Sequence, residues 1–159
     1  MSSLQSSAAI EWGINPRFLR YVGRLADGVC RVGGGVTTTP SGGFLFPASA
    51  TAEECSGYVE ISGHARRLRV WLARPAVAVE GEAIGLTVEV DPLGRRAAIA
   101  DLSPVGLGDL PDDGAAEGPA IFVATLREEG VDVFGGVYPV GHPLAPVLLH
   151  PVLTATAGR

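Results

Sequence analysis

The chain has 159 residues, enough for one domain with a sizeable apolar core. Its formal net charge of −5 and its pI near 5.1 argue against electrostatic binding of nucleic acid. All 12 basic residues are arginine, which excludes Schiff-base chemistry and a P-loop lysine.

The two ends of the chain carry little structural signal. We predict a disordered lead at residues 1–9, a single β domain at residues 10–150 and a tail at residues 151–159. The N-terminus contains neither the basic nor the apolar segment of a signal peptide. We therefore expect a cytoplasmic protein as the sequence is written, or a secreted or cell-surface one if an export signal has been removed. No apolar run reaches the length of a membrane span.

Aromatic residues make up only 6% of the chain, yet several are concentrated in the segment EWGINPRFLRY at residues 11–21. Asn15 can cap a helix, and the proline after it suits the first helical turn. The sequence therefore predicts a short helix at residues 16–24. Phe18 and Tyr21 are three residues apart, so both are expected on one face of this helix.

The remainder is typical of short strands separated by Gly- and Pro-rich turns. Alternation of apolar and polar residues is clearest on either side of a hairpin turn predicted at residues 63–66. The predicted strands lie at residues 10–14, 29–36, 44–46, 55–63, 68–73, 75–79, 86–90, 97–102 and 131–134. Residues 120–126 fit a buried strand or a short helix, and residues 105–118 are predicted to be an acidic surface loop or flap.

Short strands at regular spacing predict the fold class. We expect a mainly all-β single domain, a two-sheet β-sandwich or a barrel-like fold, with one or two short helices. Cys30 and Cys55 are too few for a disulfide scaffold. One disulfide between them would be possible, but the missing export signal favours two buried thiols.

Taken alone, the polar residues indicate no specific chemistry. His64 lies in a Gly-flanked turn, where the simpler interpretation is an exposed turn residue. His142 and His150 have no evident role, and Tyr58 is expected to pack beside its strand neighbours. Acidic residues occur in adjacent pairs, which point apart on a strand and form no ligand set. The chain also lacks CxxC, HExxH, GxSxG and GxGxxG motifs.

Three segments together carry a resemblance to a known family. EWGINPRFLRYV at residues 11–22 resembles an opening motif of Trp-Gly, four residues, Phe, two residues and Tyr. GYVEISGHARRLRVWLARPAVAVEG at residues 57–81 is similar to a strand, a Gly-His turn and a second strand. VFGGVYPVGHPLAPV at residues 133–147 resembles a closing Phe-Gly-Gly-x-Tyr segment. In this order they resemble the HtaA-type haem-binding domain of bacterial haem-uptake proteins, over about residues 11–148.

The resemblance implies a β-rich fold of two sheets and a site for ferric haem b. In that family a tyrosine near the N-terminus holds the iron, the histidine of the Gly-His turn hydrogen-bonds that tyrosine, and a second tyrosine follows the closing Gly-Gly. By position these roles fall on Tyr21, His64 and Tyr138, with Phe18 and Val140 flanking the porphyrin. The implied partners are haem or another apolar small molecule and, beyond these, a haem donor or acceptor protein or a second copy of the chain.

These residue types are chemically consistent with such a site. A free tyrosine has a pKa of about 10, and ferric iron together with a hydrogen-bonding histidine favours its phenolate form. Tyrosine is also an axial ligand of haem iron in some proteins. Arg17 or Arg20 is placed by its position in the sequence to meet a haem propionate.

Three functions remain open from the sequence. The first, which we favour, is haem binding for uptake, transfer or storage without turnover. The second is an intracellular enzyme acting on a small molecule, either with bound haem or as a haem-free acid/base cyclase or isomerase that uses Tyr21 and His64. The third is a structural or interaction domain in which Tyr21, His64 and Tyr138 are packing residues.

Overall fold

The computed structural model describes residues 8–49, 53–65, 67–105 and 119–151. These ranges contain ten strands, two short α-helices and one 3-10 helix. In chain order they are β1 (Ala8–Trp12), α1 (Pro16–Arg24), β2 (Val29–Gly33), β3 (Thr37–Thr38), β4 (Phe44–Phe46), β5 (Tyr58–Gly63), β6 (Leu68–Glu80), β7 (Ala83–Glu89), β8 (Arg96–Pro104), β9 (Ala120–Leu126), α2 (Glu128–Val131), the 3-10 helix (Asp132–Phe134) and β10 (Pro143–Pro151).

The strands form one sheet in the order β2-β5-β6-β7-β8-β9-β10-β1-β4-β3. Every pairing recorded among the described residues is antiparallel. The sheet curls into a nearly closed, barrel-like shape. The predicted mainly β, barrel-like single domain with short helices is therefore confirmed, and its hydrogen-bonded ladder runs through the ten strands as a single sheet.

The β5–β6 hairpin shows how the alternating pattern sets the two faces of the sheet. Val59 and Ile61 are fully buried, whereas Glu60 between them is turned outward and lies opposite Trp71. Because side chains alternate along a strand, this register puts the apolar set of both strands into the core. The largest fully buried side chains of the domain are Trp12, Phe46, Phe134, Ile10, Ile14, Ile61, Leu72, Leu86, Ile99, Leu126, Val59 and Val70.

Residues 131–134 were predicted as a strand, and this prediction is wrong. The segment completes α2 and forms the 3-10 helix. The backbone N–H of Arg127 still bonds to the oxygen of Ile99 at 2.8 Å, but Gly130 then packs so closely that a Cβ there would lie 2.8 Å from the same oxygen. The chain therefore leaves the sheet after β9 and continues as α2 and the 3-10 helix. The helical turn carries Phe134 into the core at 1% exposure.

The strands predicted at 68–73 and 75–79 form one continuous strand, β6. The register against β7 shifts between Ala73 and Ala76, and Arg74 between them has a φ of 53°. This local irregularity is a β-bulge, which accommodates Pro75 without ending the strand. Residues 120–126, for which strand and helix were both open, form strand β9.

The ends of the domain meet in the sheet. Ala8 and Ala9, which the sequence placed in the lead, pair with Pro151 and His150 of β10. Residues 1–7 of the predicted lead, residues 152–159 of the predicted tail and residues 106–118 of the predicted loop lie outside the described residues. Across the described ranges, neither helix has the length and apolar character needed to cross a membrane.

Cys30 and Cys55 are both free thiols, but only Cys55 is buried, so the prediction of a buried thiol is wrong for the exposed Cys30. The sulfur of Cys55 lies 3.2 Å from the backbone oxygen of Ala8, and burial raises the pKa of its thiol to about 11. Desolvation also raises the pKa of Cys30. Because only the thiolate is nucleophilic, the raised pKa lowers the reactivity of both cysteines at neutral pH, and burial shields Cys55 further.

We therefore expect iodoacetamide to alkylate the native protein slowly at Cys30 and to leave Cys55 unmodified until the chain is unfolded. Mass spectrometry of the native and the urea-unfolded protein measures this order. The Cys55→Ala variant serves as the control, because its native labelling should match that of the parent. Equal labelling of both thiols in the native state would contradict the buried placement of Cys55.

Candidate functional site

Helix α1 is held at its start by contacts with β10. The indole Nε1 of Trp12 donates to the oxygen of Ala145 at 3.0 Å, and the N–H of Ala145 donates to the oxygen of Ile14 at 3.0 Å. Ile14 has a φ of 64°, a conformation that costs a β-branched residue on the order of 1–3 kcal/mol. The chain thus bends sharply between β1 and α1, and packing around the fully buried Ile14 holds that bend in place.

The first turn of α1 follows the sequence prediction. The side chain of Asn15 accepts a hydrogen bond from the N–H of Phe18 at 3.2 Å, and proline occupies the first helical position. Phe18 is only 2% exposed, whereas Tyr21, one turn later, is 45% exposed. The helix therefore anchors itself with Phe18 and presents the ring of Tyr21 towards the β5–β6 turn.

The turn between β5 and β6 has an unusual backbone. His64 and Ala65 have φ angles of 52° and 55°, in the left-handed region that non-glycine residues rarely adopt. The carboxylate of Asp27, in the loop after α1, accepts hydrogen bonds from the N–H of His64 at 3.1 Å and from the N–H of Ala65 at 2.7 Å. The Ala65 N–H, with a smaller contribution from that of His64, holds the pKa of the Asp27 carboxyl below its usual range.

Tyr21 and His64 meet across the gap between helix and turn. The hydroxyl of Tyr21 is hydrogen-bonded to Nε2 of His64, and the two ring centroids lie 5.7 Å apart. Either group can donate, because the direction of the bond follows the tautomer of the imidazole. The two residues are 43 positions apart in the sequence, and the fold brings them together.

An aromatic cluster lies beside this pair. The ring of Phe18 meets the ring of Phe134 edge to face at 5.2 Å, and Tyr138 meets Phe18 at 6.5 Å and Phe134 at 6.4 Å. Such edge-to-face contacts each contribute about 0.5–1.5 kcal/mol beyond the burial of apolar area. Tyr138 is also in contact with His142, at 4.5 Å between ring centroids, so His142 has a packing role that its sequence context did not reveal.

The pair and the aromatic cluster border one cavity of about 870 Å³. This volume lies within the range of about 300–1,000 Å³ that is usual for small-molecule and cofactor sites. All four residues selected from the sequence, Phe18, Tyr21, His64 and Tyr138, line it. Among the described residues, the lining consists of Phe18, Tyr21, His64, Ala65, Arg67, Leu68, Phe134, Gly135, Val137 and Tyr138.

Other predicted contacts lie elsewhere. Arg20 borders a separate hollow of about 470 Å³ between α1, β1 and β10, and Val140 is 61% exposed and does not line the main cavity. Arg67 contributes the positive charge at the main cavity instead. His150, for which no role was predicted, belongs to β10 and pairs with Glu11 at 2.9 Å.

Sequence reasoning missed several residues that build the site. Among them are Phe134 and Arg67, which line the cavity, and Asp27, which holds the turn that carries His64. Phe134 was hidden by the false strand prediction at residues 131–134. Arg67 was not among the site residues selected from the sequence, and nothing near Asp27 in the sequence links it to a turn 37 residues away. Within the described residues no cluster of three or more His, Cys, Asp or Glu side chains could hold a metal ion.

Solved structures with a similar fold come from Corynebacterium glutamicum. The C-terminal domain of HtaA superposes with a TM-score of 0.69 at 20% identity, covering 92% of this chain and 96% of that domain. The heme-binding protein HtaB gives 0.67 at 22% identity, covering 91% and 92%. The N-terminal domain of HtaA gives 0.69 at 20% identity, covering 96% and 100%. At such identities these similarities establish the fold.

Comparison with curated protein sequences gives no significant match. The model of the HtaA family, described as Htaa, matches residues 7–150, which is most of the chain and includes all the described residues that line the cavity. The chain therefore belongs to the HtaA family.

Proposed function

We propose that this protein binds ferric haem b in the cavity between α1 and the β5–β6 turn, with the hydroxyl oxygen of Tyr21 as the ligand to iron. The observation that carries the proposal is the Tyr21–His64 hydrogen bond at the edge of an aromatic cavity of about 870 Å³. Membership of the HtaA family and similarity in fold to a heme-binding protein support it.

The residues present fit a flat, apolar group that carries a metal and acidic edges. Phe18, Phe134 and Tyr138 provide apolar ring surface, and Val137, 74% exposed, extends that surface towards solvent. The tyrosine hydroxyl is the polar atom placed against this apolar surface. The guanidinium of Arg67 is available to a carboxylate at the rim, where it would act as a charge-assisted hydrogen-bond donor.

Tyr21 and His64 are suited to deliver a phenolate. Nε2 of His64 can accept the phenolic proton, and once protonated it can donate a hydrogen bond back to the same oxygen. Ferric iron, when bound, is the Lewis acid that makes the anionic oxygen the favoured form. A partner of this kind fixes the orientation of the ligand and tunes its basicity, as outer-shell hydrogen bonds do at other metal sites.

The exposure of the proposed ligand supports a role in carrying haem. Tyr21 is 45% exposed, so a bound group would remain accessible to another protein. We therefore propose uptake, transfer or storage of haem, with exchange to a donor or acceptor protein. Release would require the hydrogen bond between Tyr21 of α1 and His64 of the β5–β6 turn to break.

The test is a titration of the purified protein with haemin, followed by absorbance and electron paramagnetic resonance. We expect saturation at one haemin per chain and the high-spin ferric spectrum of a tyrosinate complex. A protein that stays colourless with excess haemin would overturn the proposal. In that case the Tyr21–His64 pair would have to be tested as an acid/base pair on another apolar molecule.

A further inference from the structure

A carboxylate outside the cavity connects the two elements that carry the proposed ligand and its partner. Asp27 lies in the loop between α1 and β2, and it does not line the cavity. Each of its two oxygens accepts one hydrogen bond: Oδ1 from the N–H of His64 and Oδ2 from the N–H of Ala65. These are charge-assisted bonds, each worth about twice a neutral one.

Both residues that Asp27 holds are in a strained conformation. Non-glycine residues at positive φ cost on the order of 1–3 kcal/mol each and persist only where their surroundings enforce them. His64 and Ala65 follow one another in this region, at 52° and 55°. Their N–H groups point to the same side and are both satisfied by Asp27. Loss of the Asp27 carboxylate would leave these two N–H groups without their acceptor. It should therefore loosen the turn conformation that directs the imidazole towards α1.

Close packing also joins the β5–β6 turn to the loop after α1. A Cβ at Gly63 would lie 2.7 Å from Cδ1 of Leu25, so the turn rests closely on the loop after α1. Leu25 is itself bonded through its N–H to the oxygen of Val22, in the last turn of the helix. The loop therefore extends the helix that carries Tyr21, and Asp27 fastens the turn that carries His64 to that extension.

We propose that Asp27 is a positioning residue that holds His64 against the hydroxyl of Tyr21, and that it thereby slows the release of haem from this site. This inference rests on the proposed function. Asp27 acts only through His64, because it contacts the backbone of the turn and does not reach the cavity. Its removal should therefore affect the Tyr21–His64 pair and leave the aromatic cluster of the cavity intact.

The chain offers a matched control in Asp91. Its carboxylate also caps an exposed hairpin turn, between β7 and β8, by accepting from the N–H groups of Leu93 at 3.0 Å and Arg95 at 3.1 Å. The N–H of Arg95 lowers its pKa, as that of Ala65 does for Asp27. Asp91 does not line the cavity. Its replacement therefore reports the general cost of losing a turn carboxylate.

The experiment compares haem dissociation into an excess of a haem-scavenging protein for the parent, Asp27→Ala, Asp27→Asn and Asp91→Ala. We expect dissociation about tenfold faster for Asp27→Ala, the scale of one charge-assisted hydrogen bond. Asp27→Asn, which keeps one acceptor oxygen, should be intermediate, and Asp91→Ala should match the parent. In a His64→Ala background, Asp27→Ala should add less than about a twofold change, because the two residues act in series.

A second measurement needs no haem. Hydrogen exchange of the Ala65 amide in the apoprotein should be faster in Asp27→Ala than in the parent and in Asp91→Ala. If the exchange is faster but haem leaves Asp27→Ala at the parental rate, the positioning role is wrong. If the parent itself binds no haemin, the proposed function fails, whereas the amide exchange still decides whether Asp27 holds the turn.

Discussion

Replacing Tyr21 by phenylalanine is expected to remove the tyrosinate spectrum and to weaken haemin binding by more than about 100-fold. Loss of an outer-shell partner of a metal ligand typically costs 10–100-fold, and loss of the ligand itself should cost more. The substitution removes one oxygen and keeps the ring, so the half-exposed position on α1 should tolerate it without loss of fold. Absorbance titration with haemin measures the effect, and thermal unfolding of the apoprotein verifies the fold.

Two further variants sharpen the assignment. His64→Ala should weaken haemin binding by about 10–100-fold and should alter the spectrum without abolishing it, because Tyr21 remains. Tyr58→Phe is the control, since Tyr58 stacks on Trp71 at 4.6 Å between centroids and does not line the cavity. Parental binding by Tyr21→Phe, or equal losses in Tyr21→Phe and Tyr58→Phe, would show that the ligand has been assigned to the wrong residue.

Replacing Trp12 by alanine is expected to lower the free energy of unfolding by about 3–5 kcal/mol, the usual loss for a large aromatic residue in a core. Trp12 is 1% exposed, and its Nε1 is bonded to the oxygen of Ala145 at 3.0 Å. The alanine variant therefore leaves both a cavity and a lost hydrogen bond between β1 and β10. Because domain stability is typically about 5–15 kcal/mol, this one change removes a large share of it. Urea unfolding followed by circular dichroism measures it.

The other tryptophan provides the comparison. Trp71 lies on the outer face of β6, partly exposed and stacked on Tyr58. Among the described residues its Nε1 has no hydrogen-bond partner. Trp71→Ala should therefore cost less, on the order of 1–2 kcal/mol. A loss for Trp12→Ala no larger than that for Trp71→Ala would contradict the role of Trp12 as the anchor that fixes where α1 begins.

Local signals in the sequence predicted the elements that carry the site. The cap at Asn15 and the following proline predicted α1, and alternation on both sides of the Gly-His turn predicted the β5–β6 hairpin. These signals succeed because they depend on neighbours within a few residues. The prediction failed at residues 131–134, where an alternation of four residues is too short to distinguish a strand from a helical turn that buries Phe134.

The choice of arginine for the cavity also required the structure. Arg17 and Arg20 lie near Tyr21 in the sequence, but Arg20 borders the separate hollow between α1, β1 and β10. Arg67 from the β5–β6 hairpin lines the main cavity. Consecutive positions of a helix, such as Arg20 and Tyr21, face different directions, so proximity in sequence does not predict which cavity a side chain enters. The contact of His150 with Glu11 depends in the same way on how β10 pairs with β1, and no local pattern specifies that register.

The sequence by itself determined the mainly β fold class, the short helix with Tyr21 and the hairpin turn with His64, since period, caps and turn residues act locally. It also indicated the family through three short motifs in order. Only the tertiary structure decided that the hydroxyl of Tyr21 meets Nε2 of His64, that Phe134 and Tyr138 complete an aromatic cavity, and that Asp27 holds the turn. The reason is that each of these contacts joins residues from different elements, and their distances depend on how the whole sheet curls around one core.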